Sequence, residues 1–131
     1  MRGLALADTQ VAVRHHRVGW LRYFLMTRIL ARCGTVAEAL ALIRACPHAG
    51  GGTLVLADAQ GATAAVELGA AGPQVVQGGL ALRTNHYVTQ ALAGDTLLPA
   101  GIASPRIRAR GSPFFPPPCR GAVGIVLRRA P

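Results

Sequence analysis

The stretch from Gly50 to Tyr87, GGGTLVLADAQGATAAVELGAAGPQVVQGGLALRTNHY, constrains this chain more than any other. Leu54, Val55 and Leu56 form an apolar run that ends at Asp58. Ala59-Gln60-Gly61 supplies a turn, with Gly61 able to take positive φ at little steric cost. Thr63 to Leu68 returns as a second strand, so the pair reads as a β-hairpin with a short loop. Gly72-Pro73 breaks the chain before Gln74–Gln77, and Gly78-Gly79 breaks it again before Leu80–Arg83. The spacing predicts a meander of these strand-like pieces. It ends on an exposed polar triplet, Thr84-Asn85-His86, where a strand stops and working residues often sit.

Leu4 to Val13 alternates loosely and reads as a further strand or hairpin arm. Arg14-His15-His16-Arg17 follows as a polar loop; adjacent histidines face opposite ways on an extended chain, and no nearby carboxylate or cysteine completes a metal set. From Trp20 to Cys33, apolar residues at 21, 24, 25 and 29 alternate with arginines at 22, 28 and 32. That is helical periodicity, and it predicts a helix on a sheet with its arginines in water. Gly34 stops it. Thr35-x-x-Glu38 is a capping box for a second helix, with Val36, Leu40 and Ile43 on one face, Arg44 near its negative end, and Pro47 closing it. Glu38 therefore has a structural task. Gly50-Gly51-Gly52 precedes a strand rather than opening a helix, and no Gly-Lys-Ser follows, so a flexible connection is expected instead of a phosphate loop. Asp58 and Glu67 could pair as two carboxylates, but turn chemistry for Asp58 and a solvated or paired Glu67 are the simpler expectations.

The residues between Asp58 and His86 carry a resemblance. A strand ending Asp-x-x-Gly, a return strand with Val66-Glu67, and Leu-x-x-Thr-Asn-His together resemble the acyl-CoA:6-aminopenicillanate (isopenicillin-N) acyltransferase family. Those proteins are cysteine-type N-terminal-nucleophile (Ntn) hydrolases, related to penicillin V acylase and bile salt hydrolases. Gly19, the Arg- and Leu-rich helix after it, and Thr35-Val36-Ala37-Glu38-Ala39-Leu40 are similar to the family as well. The likeness runs from Gly3 to Ala93.

The resemblance implies an α+β fold: part of an Ntn-hydrolase αββα sandwich, comprising two helices and an antiparallel β-meander. It implies a hydrolase or acyltransferase working on amide C–N bonds without cofactor or metal, on a small-molecule acyl amide or acyl-CoA-type substrate. A cysteine freed by self-cleavage is the nucleophile, with its own α-amino group as base. By resemblance, Asn85 stabilises the oxyanion, and His86 orients Asn85 or lines the pocket. An amide donor suits that place because it donates without titrating. Read without the resemblance, Asn85 is a strand-terminating turn residue and His86 is structural.

The family's cysteine precedes the matched segment, whereas the cysteines here are Cys33, Cys46 and Cys119. Two of them fall at predicted helix ends, where they read as small hydrophobes, and the odd count without C-x-x-C spacing argues against disulfide or zinc frameworks. A nucleophile-lacking fragment is therefore expected, inactive alone, with a second chain as the partner that would complete it.

The totals limit the alternatives. At 131 residues, the chain has room for one small domain. All fourteen basic residues are arginine, against five acids. Residues 1–100 carry eight arginines and all five acids, whereas 101–131 carry six arginines and no acid. The division predicts an acyltransferase-like domain over 1–100 and an Arg/Pro-rich irregular or disordered tail over 101–131, read out of frame, with at most a short strand over Val123–Leu127. Ser104-Pro105-Arg106-Ile107-Arg108 is only a faint echo of the family. Because the tail creates most of the excess charge, nucleic acid is a weak expectation. An arginine-rich nucleic-acid-binding protein and a non-catalytic partner protein remain the alternatives. No apolar run reaches the ~20 residues of a membrane span, and the start is a poor signal peptide, so a cytoplasmic product without membrane attachment is expected.

Overall fold

The computed structural model describes residues 3–77, 80–97 and 125–128. The first strand, β1 (Leu4–Gln10), leads through a loop to helix α1 (Arg22–Arg32) and helix α2 (Val36–Ala45). Three strands follow, β2 (Gly52–Asp58), β3 (Thr63–Gly69) and β4 (Gly72–Gln77). The chain continues as β5 (Leu80–Arg83) and a single helical turn, α3 (Gln90–Ala93), and β6 is formed by Ile125–Arg128.

Strands β1 to β4 make one antiparallel sheet in the order β1-β2-β3-β4, with Leu6 opposite Leu56 and Leu54 opposite Val66. The fold is thus α+β. The expected meander holds for β2, β3 and β4, but β5 leaves the sheet and pairs antiparallel with β6. Strand β6 overlaps the short strand expected over Val123–Leu127; Cys119, Gly78-Gly79, Ser104–Arg108 and the rest of the 101–131 tail lie outside the described residues.

Alternation along the strands divides the sheet into two faces. Leu54, Leu56, Ala64, Val66 and Leu68 point to one side and form the main core with Leu25, Ile29, Val36, Ala39, Leu40 and Ile43 of the helices. Leu25, Ile29 and Ile43 are fully buried. Cutting any of them to alanine removes about 2–5 kcal/mol of packing. The opposite face buries Thr9, Thr53, Val55, Ala65 and Glu67. Here β5 and its continuation meet the sheet: Thr9 Oγ1 donates to the Thr84 carbonyl at 3.0 Å, and Arg83 Nε lies 3.6 Å from Glu67 Oε1.

The helices follow their sequence signals with one departure. In the capping box, Thr35 Oγ1 accepts the Glu38 N–H at 3.2 Å, and Glu38 Oε2 accepts the Gly34 N–H at 2.6 Å. The expected apolar face of α1 is only half realised: Leu25 and Ile29 are buried, whereas Leu21 and Phe24 are 55% and 62% exposed. The buried stripe is centred on Arg22 and Ile29, and Phe24 lies on the far side of the helical wheel from both. Of the helix arginines, Arg32 is exposed, Arg28 stacks over Trp20 at 5.0 Å, and Arg22 is buried.

Asp58 performs the turn chemistry read from the sequence and one task more. Its Oδ1 accepts the N–H groups of Gln60 and Ala62, each at 3.0 Å, while Oδ2 accepts the Val36 N–H at the start of α2 at 2.9 Å. The Val36 N–H foremost, with those of Ala62 and Gln60, holds the carboxyl below its ordinary range.

His48 behaves differently. It is fully buried, and neither ring nitrogen has a partner among the described residues. Burial, seconded by Arg17, lowers its pKa. The folded form keeps His48 neutral while the unfolded chain takes up a proton at about pH 6.5, so stability falls as pH drops below that value. Replacing His48→Phe is expected to flatten the wild-type loss of urea midpoint between pH 7.5 and 5.5. Asp58→Asn is expected to change the profile only below about pH 4, where the unfolded chain's Asp58 takes up a proton that the folded one resists.

Candidate active site

A cleft of roughly 300 Å³ opens where β1 ends, between Gln10–Val13, the start of α1 at Leu21–Tyr23, and the Gly50-Gly51 connection, with His16 and Leu97 at its margin. Its floor is made by a buried arginine. Arg22 Nε donates to Asp8 Oδ2 at 2.6 Å, Nη1 to the Gly51 carbonyl at 2.8 Å, and Nη2 to Tyr23 Oη at 3.3 Å. The guanidinium fork therefore ties β1, α1 and the entry to β2 together. Each of its nitrogens is used.

The three glycines exist for this arrangement rather than for slack. Gly50 and Gly51 have φ of 88° and 85°, which side chains rarely adopt. At Gly52 the obstacle is space: a Cβ would lie 2.6 Å from Arg22 Cδ and 2.9 Å from the Thr9 carbonyl. The flexible connection expected from sequence is a fixed one. Gly51 is also held through its N–H, which donates to the Leu68 carbonyl at 2.9 Å and to Tyr87 Oη at 3.2 Å, while the Tyr87 hydroxyl donates to the same Leu68 carbonyl. Burial pushes the Tyr87 phenol above its usual range, so it stays a donor.

The polar triplet divides its labour. Thr84 is buried, Asn85 exposed and His86 half-buried, so only Asn85 matches the expected exposure in full. Asn85 Nδ2 donates to the carbonyl of Gln10 at 2.9 Å; Gln10 lines the cleft, and Asn85 itself does not. A primary amide has two N–H groups, and the second is uncommitted among the described residues. His86 turns the other way: its Nδ1 lies 2.7 Å from Thr84 Oγ1. Asn85 and His86 are thus adjacent in sequence but engage different partners.

The adjacent histidines of the polar loop also separate, as expected of an extended chain. His15 Nδ1 meets Asp95 Oδ1 at 2.6 Å, and His16 Nδ1 lies 3.3 Å from the Ala49 carbonyl. No group of three or more His, Cys, Asp or Glu that could hold a metal occurs among the described residues.

Cys33 and Cys46 close α1 and α2, respectively. Cys33 is buried within the main core, and Cys46 packs against it. Neither lines the cleft. Asp8, Arg22 and Tyr87 escaped the sequence reading as site-forming residues, and Glu67, weighed there as a carboxylate partner of Asp58, instead binds Val88 and Thr89 while Asp58 binds Val36, Gln60 and Ala62. The signal for Arg22 was present, because an arginine in register with Leu25 and Ile29 lies on the buried stripe.

With this geometry in view, residues 1–100 match the family described as acyl-coenzyme A:6-aminopenicillanic acid acyl-transferase. The chain belongs to that family. No curated protein and no solved structure matches it. Membership in an acyltransferase family fits the cleft better than a phosphate-binding reading, because the glycines shape a passage for Arg22 instead of cradling an anion. No helix among the described residues is long and apolar enough to cross a membrane.

Two stability tests follow from the guanidinium. A double-mutant cycle of Asp8→Asn and Arg22→Met is expected to yield a coupling of about 1–3 kcal/mol in urea unfolding. Gly52→Ala is expected to cost about 1–3 kcal/mol through overpacking against Arg22 and Thr9.

Proposed function

We propose that this acyltransferase-family chain carries the oxyanion-stabilising part of an enzyme acting on amide C–N bonds, and that the nucleophile is an N-terminal cysteine outside these residues. The observation behind this reading is the exposed Asn85 amide, anchored by one N–H to the carbonyl of the cleft residue Gln10, with its other N–H uncommitted among the described residues. An anchored, non-titrating donor is what a developing oxyanion requires. The cysteine thiolate attacks the acyl carbonyl, its α-amino group takes and returns the proton, and the amine leaves as the tetrahedral adduct collapses. Water or a second amine then accepts the acyl group.

The position of Cys33 supports a nucleophile from elsewhere, since a thiol buried in the main core has no access to a substrate, and Cys46 packs against that core at the end of α2. The body arginines favour small-molecule chemistry over nucleic acid. Arg22 is committed internally, Arg17 Nε donates to the His48 carbonyl at 3.0 Å, and Arg83 is buried beside Glu67. Among the described residues, what remains is a thin set of exposed arginines rather than a continuous basic stripe.

The test is acyl release from an N-acyl p-nitroanilide, by the chain alone and mixed with an adjacent gene product that opens on cysteine. Turnover is expected only in the mixture. Asn85→Ala should lower kcat by roughly 10²–10³-fold, and Cys33→Ser or Cys46→Ser should leave the chemical step unchanged. Turnover by the chain alone that vanishes in either cysteine variant would overturn the reading.

A further inference from the structure

Glu67 is fully buried in the middle of β3, on the face away from the helices. A buried carboxylate is costly unless its lone pairs are used, and here they are. Oε1 accepts the Val88 N–H at 2.8 Å and lies 3.6 Å from Arg83 Nε. Oε2 accepts the Thr89 N–H at 3.1 Å and the Thr89 hydroxyl at 2.6 Å. Every one of these partners belongs to the segment that carries Asn85. Arg83 precedes Asn85 by two positions, and Val88 and Thr89 follow it by three and four.

We infer that Glu67 is the positioning residue for Asn85: one buried carboxylate pins the chain on both sides of the donor and so fixes where its amide points. The inference rests on the proposed oxyanion role of Asn85 for its catalytic meaning, but not for its geometry. Asn85 is itself exposed, and its one bond to the Gln10 carbonyl would not fix a mobile loop. The neighbouring anchors reach the same segment from other elements: Thr9 Oγ1 on the Thr84 carbonyl, the Thr96 hydroxyl on the Tyr87 N–H at 3.1 Å, and Tyr87 Oη on the Leu68 carbonyl. Among the described residues, Glu67 alone is seen to touch both flanks of the triplet.

The charge matters as well as the shape. A glutamine at this position keeps one acceptor oxygen but turns an NH₂ toward groups that are themselves donors. It also removes the counter-charge from Arg83, whose pKa burial lowers and Glu67 raises. Glu67→Gln is therefore expected to loosen the segment without emptying the core, and Thr89→Val, which deletes only the hydroxyl, should do so to a lesser degree.

The test uses the full 131-residue chain labelled with ¹⁵N. The Asn85 side-chain amide pair, assigned by its loss in Asn85→Ala, should move toward the free-amide position in Glu67→Gln, with solvent exchange faster by about tenfold or more. Thr89→Val should shift the same pair by a smaller amount, and it decides the matter if Glu67→Gln does not fold. In the cysteine-complemented mixture, Glu67→Gln should lower kcat about ten- to a hundredfold with KM nearly unchanged. An Asn85 amide pair unmoved in a folded Glu67→Gln or Thr89→Val variant overturns the inference. Absence of turnover in the wild-type mixture would count against the proposed function alone, because the amide signal is read without catalysis.

Discussion

The fold around the candidate site depends on one buried cation. Arg22 has no room in water, since the helix start that carries it is pressed against the ends of β1 and β2. Its cost of burial is met by Asp8 and the Gly51 carbonyl. That requirement propagates outward. The guanidinium needs a carbonyl at Gly51, the carbonyl needs a backbone with positive φ, and the passage of the side chain needs no Cβ at Gly52. A run of three glycines, an aspartate in a strand and an arginine at a helix start are thus one feature spread over three parts of the chain.

The same economy appears on the other side of the sheet. Glu67 is to the Thr84-Asn85-His86 segment what Arg22 is to the cleft floor: a buried charge that ties down parts of the chain distant from it in sequence. The two charges have opposite sign, Arg22 at the start of α1 and Glu67 in the middle of β3. Each holds a loop that its local sequence would leave free. Arg22 lines the cleft, so its geometry there follows from buried electrostatics, whereas hydrophobic packing is concentrated between the helices and the opposite face of the sheet.

Much of the local structure was legible in the sequence because the signals were local. The capping box at Thr35 and Glu38, the Asp58 turn and the Val36-Leu40-Ile43 face each involve residues a few positions apart, and each formed as read. The acyltransferase resemblance was equally visible in the Asp58–His86 spacing. What escaped was long-range. Nothing near Arg22 announces Asp8, and nothing near Glu67 announces Val88 and Thr89, because those contacts exist only once strands are paired. The departure of β5 from the meander belongs here too: its partner β6 comes from much later in the chain. Phe24 failed for another reason. Periodicity identified a helix but not which arc of it would face the sheet, and the arc was settled by the arginine.

The pairing pattern also orders events in time. Strands β2, β3 and β4 close through short turns, and the two helices meet across Gly34, so these parts can form from neighbouring residues. Strand β1 must find β2 across the helical pair, and β5 must find β6, each joining residues more than forty positions apart. Asn85 leans on Gln10 at the end of β1, and Arg22 leans on Asp8 in the same strand. The cleft is therefore assembled from the late arrivals. In a chain that opens by steps, it would be the first part lost, while the helix-covered sheet still held.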